Sequence, residues 1–295
     1  MKRNAIARIV IYSLIITILL TLLLFGLGVR NLFGRRRTET PAETMVPVAI
    51  DDWQESSNKL SFSPEMVNQL EVEWAAGSIA IFPADVNEIT VSESDVSDSK
   101  YTMVWKLDGD TLKLQFCDMD WERGFRINGI TKDLTIMVPR GWQCSSLEID
   151  AASASVEVNG LTIAEVEFDG ASGRCEFSDC TVDIMDLDTA SGDIEFYGSL
   201  NILECDAASA SFTVVLSNHP TRLDMDTMSG DLDITLPADC GFTASLEGLN
   251  TNFTSDFTTT VKNGDQVHGD GSCRINISAM SGDVQLRMPK DTPEK

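Results

Sequence analysis

An all-β chain is what this sequence predicts: a parallel β-helix, or β-solenoid, with a period of about 19 residues, preceded by one N-terminal transmembrane helix. Three observations lead there. A ten-residue phrase recurs six times, as "IDAASASVEV", "FDGASGRCEF", "LDTASGDIEF", "CDAASASFTV", "MDTMSGDLDI" and "ISAMSGDVQL". The segments around it alternate apolar and polar side chains with the period of two that a half-buried strand requires, and show no helical period. Near the amino terminus, 21 residues between Arg8 and Arg30 carry no charge.

That uncharged run is "IVIYSLIITILLTLLLFGLGV", and at about 1.5 Å per residue it matches a hydrocarbon core of about 30 Å. No small-x-small cleavage site follows in "FGLGVRNLFGRRR", so residues 1–37 are expected to be an uncleaved anchor with basic flanks. Lys2, Arg3 and Arg8 on one side nearly balance Arg30, Arg35, Arg36 and Arg37 on the other. Long domains translocate largely regardless of flanking charge, so the expected arrangement is a single-pass cell-membrane protein with its C-terminal domain extracytoplasmic. Residues 38–69 mix Pro, Thr, Ser and acids without sustained periodicity and read as a linker or stalk. Between 70 and 146, runs such as "LEVEW", "EITVSE", "TLKLQF" and "LTIMVP" read as strands capping the solenoid, with "WAAGSIAIF" a worn copy of the phrase. The segment "CDMDWERGFRINGITKD" reads as a loop whose Trp121 and Phe125 cover the end of the core.

The solenoid proper is expected over 147–289, with a polar tail at 290–295. The marker serines Ser153, Ser172, Ser191, Ser209 and Ser229 follow one another at 19, 19, 18 and 20 residues, and Ser281 closes the series after an insertion at 241–272, which reads as an irregular extra coil or as an excursion that carries binding. A single coil cannot bury its apolar face, so coils of this kind stack. The positions before the turn (Ile149, Phe168, Leu187, Cys205, Met225, Ile277) and after it (Val156, Cys175, Ile194, Phe212, Leu232, Val284) are all apolar and are assigned inward. The Ser-Gly or Ser-Ala pair between them makes a tight corner, where Gly supplies an unusual φ and Ser bonds nearby backbone. Leu161, Ile163, Cys180, Val182, Leu200 and Ile202 suggest a third short strand per coil. Five to seven coils are expected, with a β-sandwich of the same strands as the rival fold.

The phrases "SGDIEF", "SGDLDI", "SGDVQL" and "HGDGSCRINISAMSGD", behind a single N-terminal helix, resemble the bacterial "putative adhesin" β-strand-repeat family, a domain of unknown function that includes LiaG-like membrane-anchored envelope proteins. The resemblance covers residues 70–289. It implies a membrane-tethered extracytoplasmic β-repeat module tied to adhesion or envelope stress, with no established catalytic residues to carry over. The "ASAS" copies at 152–155 and 208–211 depart from the Ser-Gly-Asp pattern.

Charge narrows the partners. The formal net charge is −24, but the first 37 residues hold seven bases and no acid, leaving 15 bases against 46 acids, or −31, on the remainder. Such a surface excludes nucleic acid, whose phosphates need a basic face. The seven cysteines lack Cys-x-x-Cys spacing, and Cys175 and Cys205 fill columns occupied elsewhere by Ile, Val, Leu, Phe or Met, so they read as small buried hydrophobes.

The acids flanking each inward residue point outward. Glu148 and Asp150, Glu167 and Asp169, Asp186 and Asp188, Glu204 and Asp206, and Asp224 and Asp226 therefore form a grid of two columns and five rows, which Asn276 and Ser278 end. Rows about 4.8 Å apart put about 0.9 kcal/mol of repulsion between neighbouring charges even at the dielectric of water. Residues 147–240 hold 20 acids and, as bases, only Arg174 and Arg222. The grid is expected to be either a solvated acidic face or a place where calcium bridges carboxylates of neighbouring coils, without the closed sites of a calcium-binding β-roll. No other cofactor is expected. An enzyme that cleaves polysaccharides would add Arg, Lys or His to such acids; His219 and His268 sit in loops outside any catalytic motif, ten equivalent acids single out no pair, and short corners leave little room for a cleft. The chain therefore reads as a non-catalytic module whose partner is the membrane through its helix and an envelope polymer or a membrane protein through its domain. A cytosolic scaffold on the inner leaflet is the alternative.

Overall fold

The structure, a computed structural model, describes residues 50–56, 59–94, 98–118 and 129–289. The expected membrane helix, the first part of the stalk, Trp121, Phe125 and the polar tail lie outside them. No helix among the described residues is long and apolar enough to cross a membrane.

The alternating segments wind into one sheet of coils. Along the axis, β3 (Gln69–Ala84) is followed by β8 (Gln143–Asn159), then by β9 (Thr162–Gly170) continued into the start of β10 (Arg174–Leu216). Two further turns of β10 come next, then β11 (Arg222–Ser229) with β12 (Leu232–Thr235), then β16 (Cys273–Arg287), then β13 (Phe242–Ser255). These eight rows stack in parallel and in register. That is a β-solenoid, with one row more than the periodicity predicts. A β-sandwich would set neighbouring strands antiparallel.

The fold differs from the sequence reading at both ends. The stretch read as stalk holds two strands, β1 (Ile50–Glu55) and β2 (Lys59–Phe62), and the stretch read as a cap begins with β3, which is itself a full coil. The halves of β3 are covered in parallel by β6 (Thr111–Gln115) and β7 (Lys132–Pro139). Antiparallel β5 (Val104–Asp108) and β1 lie beyond β6, and β4 (Ile89–Glu93) and β2 beyond β7. At the far end the 241–272 stretch is an extra coil, one of the two readings its broken period allows, but it does not stack in chain order. Its β13 forms the outermost coil, closed by the hairpin β14 (Thr260–Lys262) and β15 (Asp265–His268), while the last copy of the phrase slots between β11 and β13. The placement follows from side chains: Leu223, Met225, Leu232 and Ile234 meet Ile275, Ile277, Val284 and Leu286 row to row.

The inward columns are buried as expected, and the rings of Phe177 and Phe196 stack at 6.4 Å. A third short side is present, since Leu161, Ile163, Cys180, Val182 and Leu200 are buried. Ile202 is the exception. The 18-residue coil shifts its register, so Ile202 stands at a corner opposite Arg222 while Leu203 points inward. The marker serines bond across coils and not within their own turn: Ser153 Oγ donates to the Ala75 carbonyl at 3.0 Å and Ser191 Oγ to the Ala171 carbonyl at 3.2 Å. After the serine, Gly192 holds φ at +135°, and a Cβ there would lie 2.0 Å from the Gly173 carbonyl oxygen. Seven free cysteines are buried.

A charged pair, Lys132 and Glu93, enters the core at the N-terminal end. The Lys132 ammonium lies between the rings of Trp74 and Phe116, 4.7 and 4.5 Å from their centroids, and donates to Glu93, to the Tyr101 carbonyl at 2.7 Å and to the Phe116 carbonyl. Glu93 also accepts from the Met103 amide at 2.9 Å. Every proton of the ammonium has an acceptor, as a fully buried charge requires.

Candidate functional site

All ten acids of the predicted grid stand on one side of the solenoid. Each strand there alternates, so the residues before and after an inward apolar side chain face solvent together. Glu148 pairs in register with Glu167 and Asp150 with Asp169; Asp186 with Glu167 and Asp188 with Asp169; Glu204 with Asp224 and Asp206 with Asp226. Asn276 and Ser278 end the grid opposite Asp224 and Asp226. The grid also reaches a row further at its start, because Glu71 and Glu73 of β3 pair with Glu148 and Asp150. Both sit in "LEVEW", where the alternation was legible but the strand was read as part of a cap.

A cation or an amide meets the grid at each end. Lys113 Nζ bonds Glu71 at 2.5 Å and Gln115 Nε2 bonds Glu73 at 2.8 Å. At the other end Arg222 bonds Glu204 and lies 3.5 Å from Asp224, to which Asn276 Nδ2 donates at 2.5 Å. Toward the middle, crowding strips water from Asp169, Asp188 and Asp206 although each keeps part of its surface in solvent. The carboxylates of adjoining rows act in the same direction, so these three groups are pushed up to about 6, about 7 and about 6. The arrangement is one of lines of carboxylates. Among the described residues no three or more His, Cys, Asp or Glu side chains are gathered into a metal-binding cluster.

The remaining candidates are dispersed. His219 Nε2 lies 3.0 Å from Asp239 at the surface, and His268 bonds the Thr258 carbonyl and packs against Phe242 and Phe257 at the C-terminal end. Arg174 is occupied by Glu176 and Glu195, both at 2.9 Å. Burial pushes the Cys144 and Cys273 thiols up to about 12.

Sequence reasoning missed a groove. Each coil has two consecutive outward residues where its short side meets the acidic side, as at Ala164 and Glu165 and at Asp183 and Ile184. The bend leaves an open trough of about 470 Å³ along the short side, crossing five rows from Asn68 to Asn201. Its floor includes Ile163 and Val182, and its walls carry Gln143, Thr162, Thr181 and Ser199. The corners are short, as the sequence shows, but the cleft is made by stacking them.

Solved structures similar to this chain include three of low identity. A "putative adhesin" from Bacteroides fragilis is similar at 13% identity and a TM-score of 0.49, covering 81% of this chain and 98% of its own. A "putative cell adhesion protein" from Clostridium sporogenes is similar at 9% identity and a TM-score of 0.36, with 81% and 100% covered. A "putative lipid binding protein" from Parabacteroides distasonis is similar at 13% identity and a TM-score of 0.41, with 80% and 98% covered. Among curated protein sequences nothing matches. The model of the Toastrack DUF4097 family matches residues 67–287, every coil described above included, and the chain belongs to that family.

Proposed function

We propose that the chain is a non-catalytic, adhesin-like interaction module, held outside the cell membrane by its N-terminal helix and presenting an acidic sheet face. The observation that carries this reading is the grid: six rows of paired acids in register, from Glu71 and Glu73 to Asp224 and Asp226. A surface of that kind repels anions and favours cations or neutral partners. The 21 uncharged residues before Arg30 support the anchor. The non-catalytic part rests on chemistry. The groove's one carboxylate, Asp183, accepts a hydrogen bond from Asn201 at 2.9 Å, and Cys144 in its floor is held protonated by burial. Neither is poised as an acid–base pair or a nucleophile.

Protease shaving of intact cells, followed with an antibody to the C-terminal "MPKDTPEK" region and a cytosolic control, tests the placement. Loss of the signal supports the extracytoplasmic module. Survival in intact cells with loss after lysis would put the domain inside and turn the reading into an inner-leaflet scaffold. Calcium enters this reading as a diffuse layer bridging neighbouring rows; an identical melting midpoint in chelator and in millimolar calcium would remove it.

A further inference from the structure

We propose that the groove along the short side is a binding site for an uncharged, hydroxyl-rich polymer: a neutral glycan strand lying parallel to the solenoid axis. The inference rests on the interaction-module reading for its setting, but on a different surface for its chemistry.

Three features of the groove converge. The first is unused hydrogen-bonding capacity. Asn68, Gln143, Thr162, Thr181 and Ser199 line it, and among the described residues none of their side chains has a hydrogen-bond partner within the protein. Gln143, Thr162 and Thr181 occupy one column, each the register partner of the next. The walls therefore offer a ladder of hydroxyls and amides, donors and acceptors both, at the row spacing of about 4.8 Å. The second is the floor: the side chains of Cys144, Ile163 and Val182 turn into the core, and the exposed methyl groups of Ala164, Thr162 and Thr181 supply the apolar surface beside the polar groups. A sugar ring has an apolar face and a hydroxyl edge, and a trough with methyl groups beside polar groups meets both. The third is length. Five rows span about 19 Å, which is room for several sugar units and far more than a monosaccharide uses.

Charge selects among polymers. The groove's one carboxylate is already bonded to Asn201, whose carbonyl oxygen accepts from Thr221 at 2.5 Å, so that end is closed by the protein itself. Past the bend, on the same strands, the acidic grid begins: Gln143 and Glu148 both lie on β8, and Thr162 and Glu167 both lie on β9. A polyanion, whether an acidic glycan or a phosphate polymer, meets that field on approach, and no Lys or Arg lines the groove to receive it. A basic polymer would go to the grid and have no use for the hydroxyl ladder. A neutral glycan is what remains.

The test uses the full chain purified in detergent, so its outcome does not depend on which side of the membrane the domain occupies, and its failure is distinguishable from failure of the shaving experiment. The probes are cellohexaose and the hexamer of β-1,4-linked N-acetylglucosamine, with their dimers, polygalacturonate and an uncharged Ser-Gly peptide as comparators, read by calorimetry. Binding of a neutral hexamer, at least about tenfold weaker for its dimer, and weakened at least about tenfold by Thr181→Arg but not by Glu148→Gln, supports the proposal. If Thr181→Arg fails to fold by circular dichroism, the milder triple change Gln143→Ala, Thr162→Ala, Thr181→Ala gives the same reading. No binding of either hexamer at millimolar concentration, equal binding by a folded groove variant, or stronger binding of polygalacturonate or the peptide would each overturn it.

Discussion

Gly192 shows why the repeated phrase is written as it is. Its φ of +135° lies where L side chains rarely go, and the space a Cβ would fill holds the carbonyl oxygen of Gly173 in the preceding coil. Gly192→Ala should therefore cost at least about 2 kcal/mol by urea unfolding, combining backbone strain with a clash against backbone that cannot move aside. Ser191→Ala should cost less, about 1 kcal/mol, because it loses one inter-coil hydrogen bond. An alanine tolerated at 192 would mean that the corner relaxes. Lys132 tests a different kind of constraint. Lys132→Met leaves Glu93 buried without its cation and should cost about 3–5 kcal/mol, whereas adding Glu93→Leu should recover most of that loss. If the double variant were no better than the single one, the bonds to Tyr101 and Phe116 would hold this end together, and not the charge pair. The glycine was legible from the sequence, since Ser-Gly recurs at fixed spacing. The lysine was not: its parity with Leu134 and Ile136 aims it inward, but its partner lies 39 residues away on another strand.

Stacked strands turn single acids into a ladder, and the ladder has a pH dependence of its own. Asp188 is the central case, facing Asp169 and Asp206 in adjoining rows, Asp186 beside it and Glu167 diagonally. Its folded-state pKa of about 7, and those of about 6 at Asp169 and Asp206, lie above the ordinary carboxylate value, so the folded chain binds protons that the unfolded chain releases. The stabilising contribution of these groups is complete below about pH 4 and is lost as pH rises through 6 to 7. The melting midpoint should thus climb as pH falls from 8 to about 5. Below that, Asp85 and Asp98, held low by hydrogen bonds from Arg140 and Lys100, pull stability the other way. Asp188→Asn should raise the midpoint at pH 7.5, by an amount corresponding to at most about 1 kcal/mol after salt screening, and flatten the climb. A midpoint independent of pH between 5 and 8 would show that the rows splay apart enough to lose their coupling. The rows themselves follow from period and parity alone. The groove does not, because it comes from the angle between two sides of a coil, and a bend with two consecutive outward residues looks in sequence like one irregular step in the alternation.

At the scale of the molecule, chain order and stacking order part company at the C-terminal end, and that makes the two ends of the same segment unequal. Periodicity identified 273–287 as a coil, but could not say that it would reach back past its predecessor to lie on β11 and β12, since both neighbours offer an apolar face of the same kind. Because β16 is the row between β11 and β13, removing it should free β13 as well. Deleting residues 240–272 is the milder change. It brings Ser229 and Ser281 to a spacing of 19 residues, the period of the repeat, and leaves every pairing of β16 with β11 and β12 possible. The internal deletion should keep a cooperative melt with a lowered midpoint. Having lost the coil and hairpin that close the stack, it should also associate through its bared edge, visible by sedimentation. Truncation after residue 272 removes fewer residues yet should melt lower and less cooperatively, because it costs two rows and leaves the capping hairpin with nothing to close. If the truncated chain melted as high as the internally deleted one, β13 would have to hold on β11 directly, and the two coils would be interchangeable.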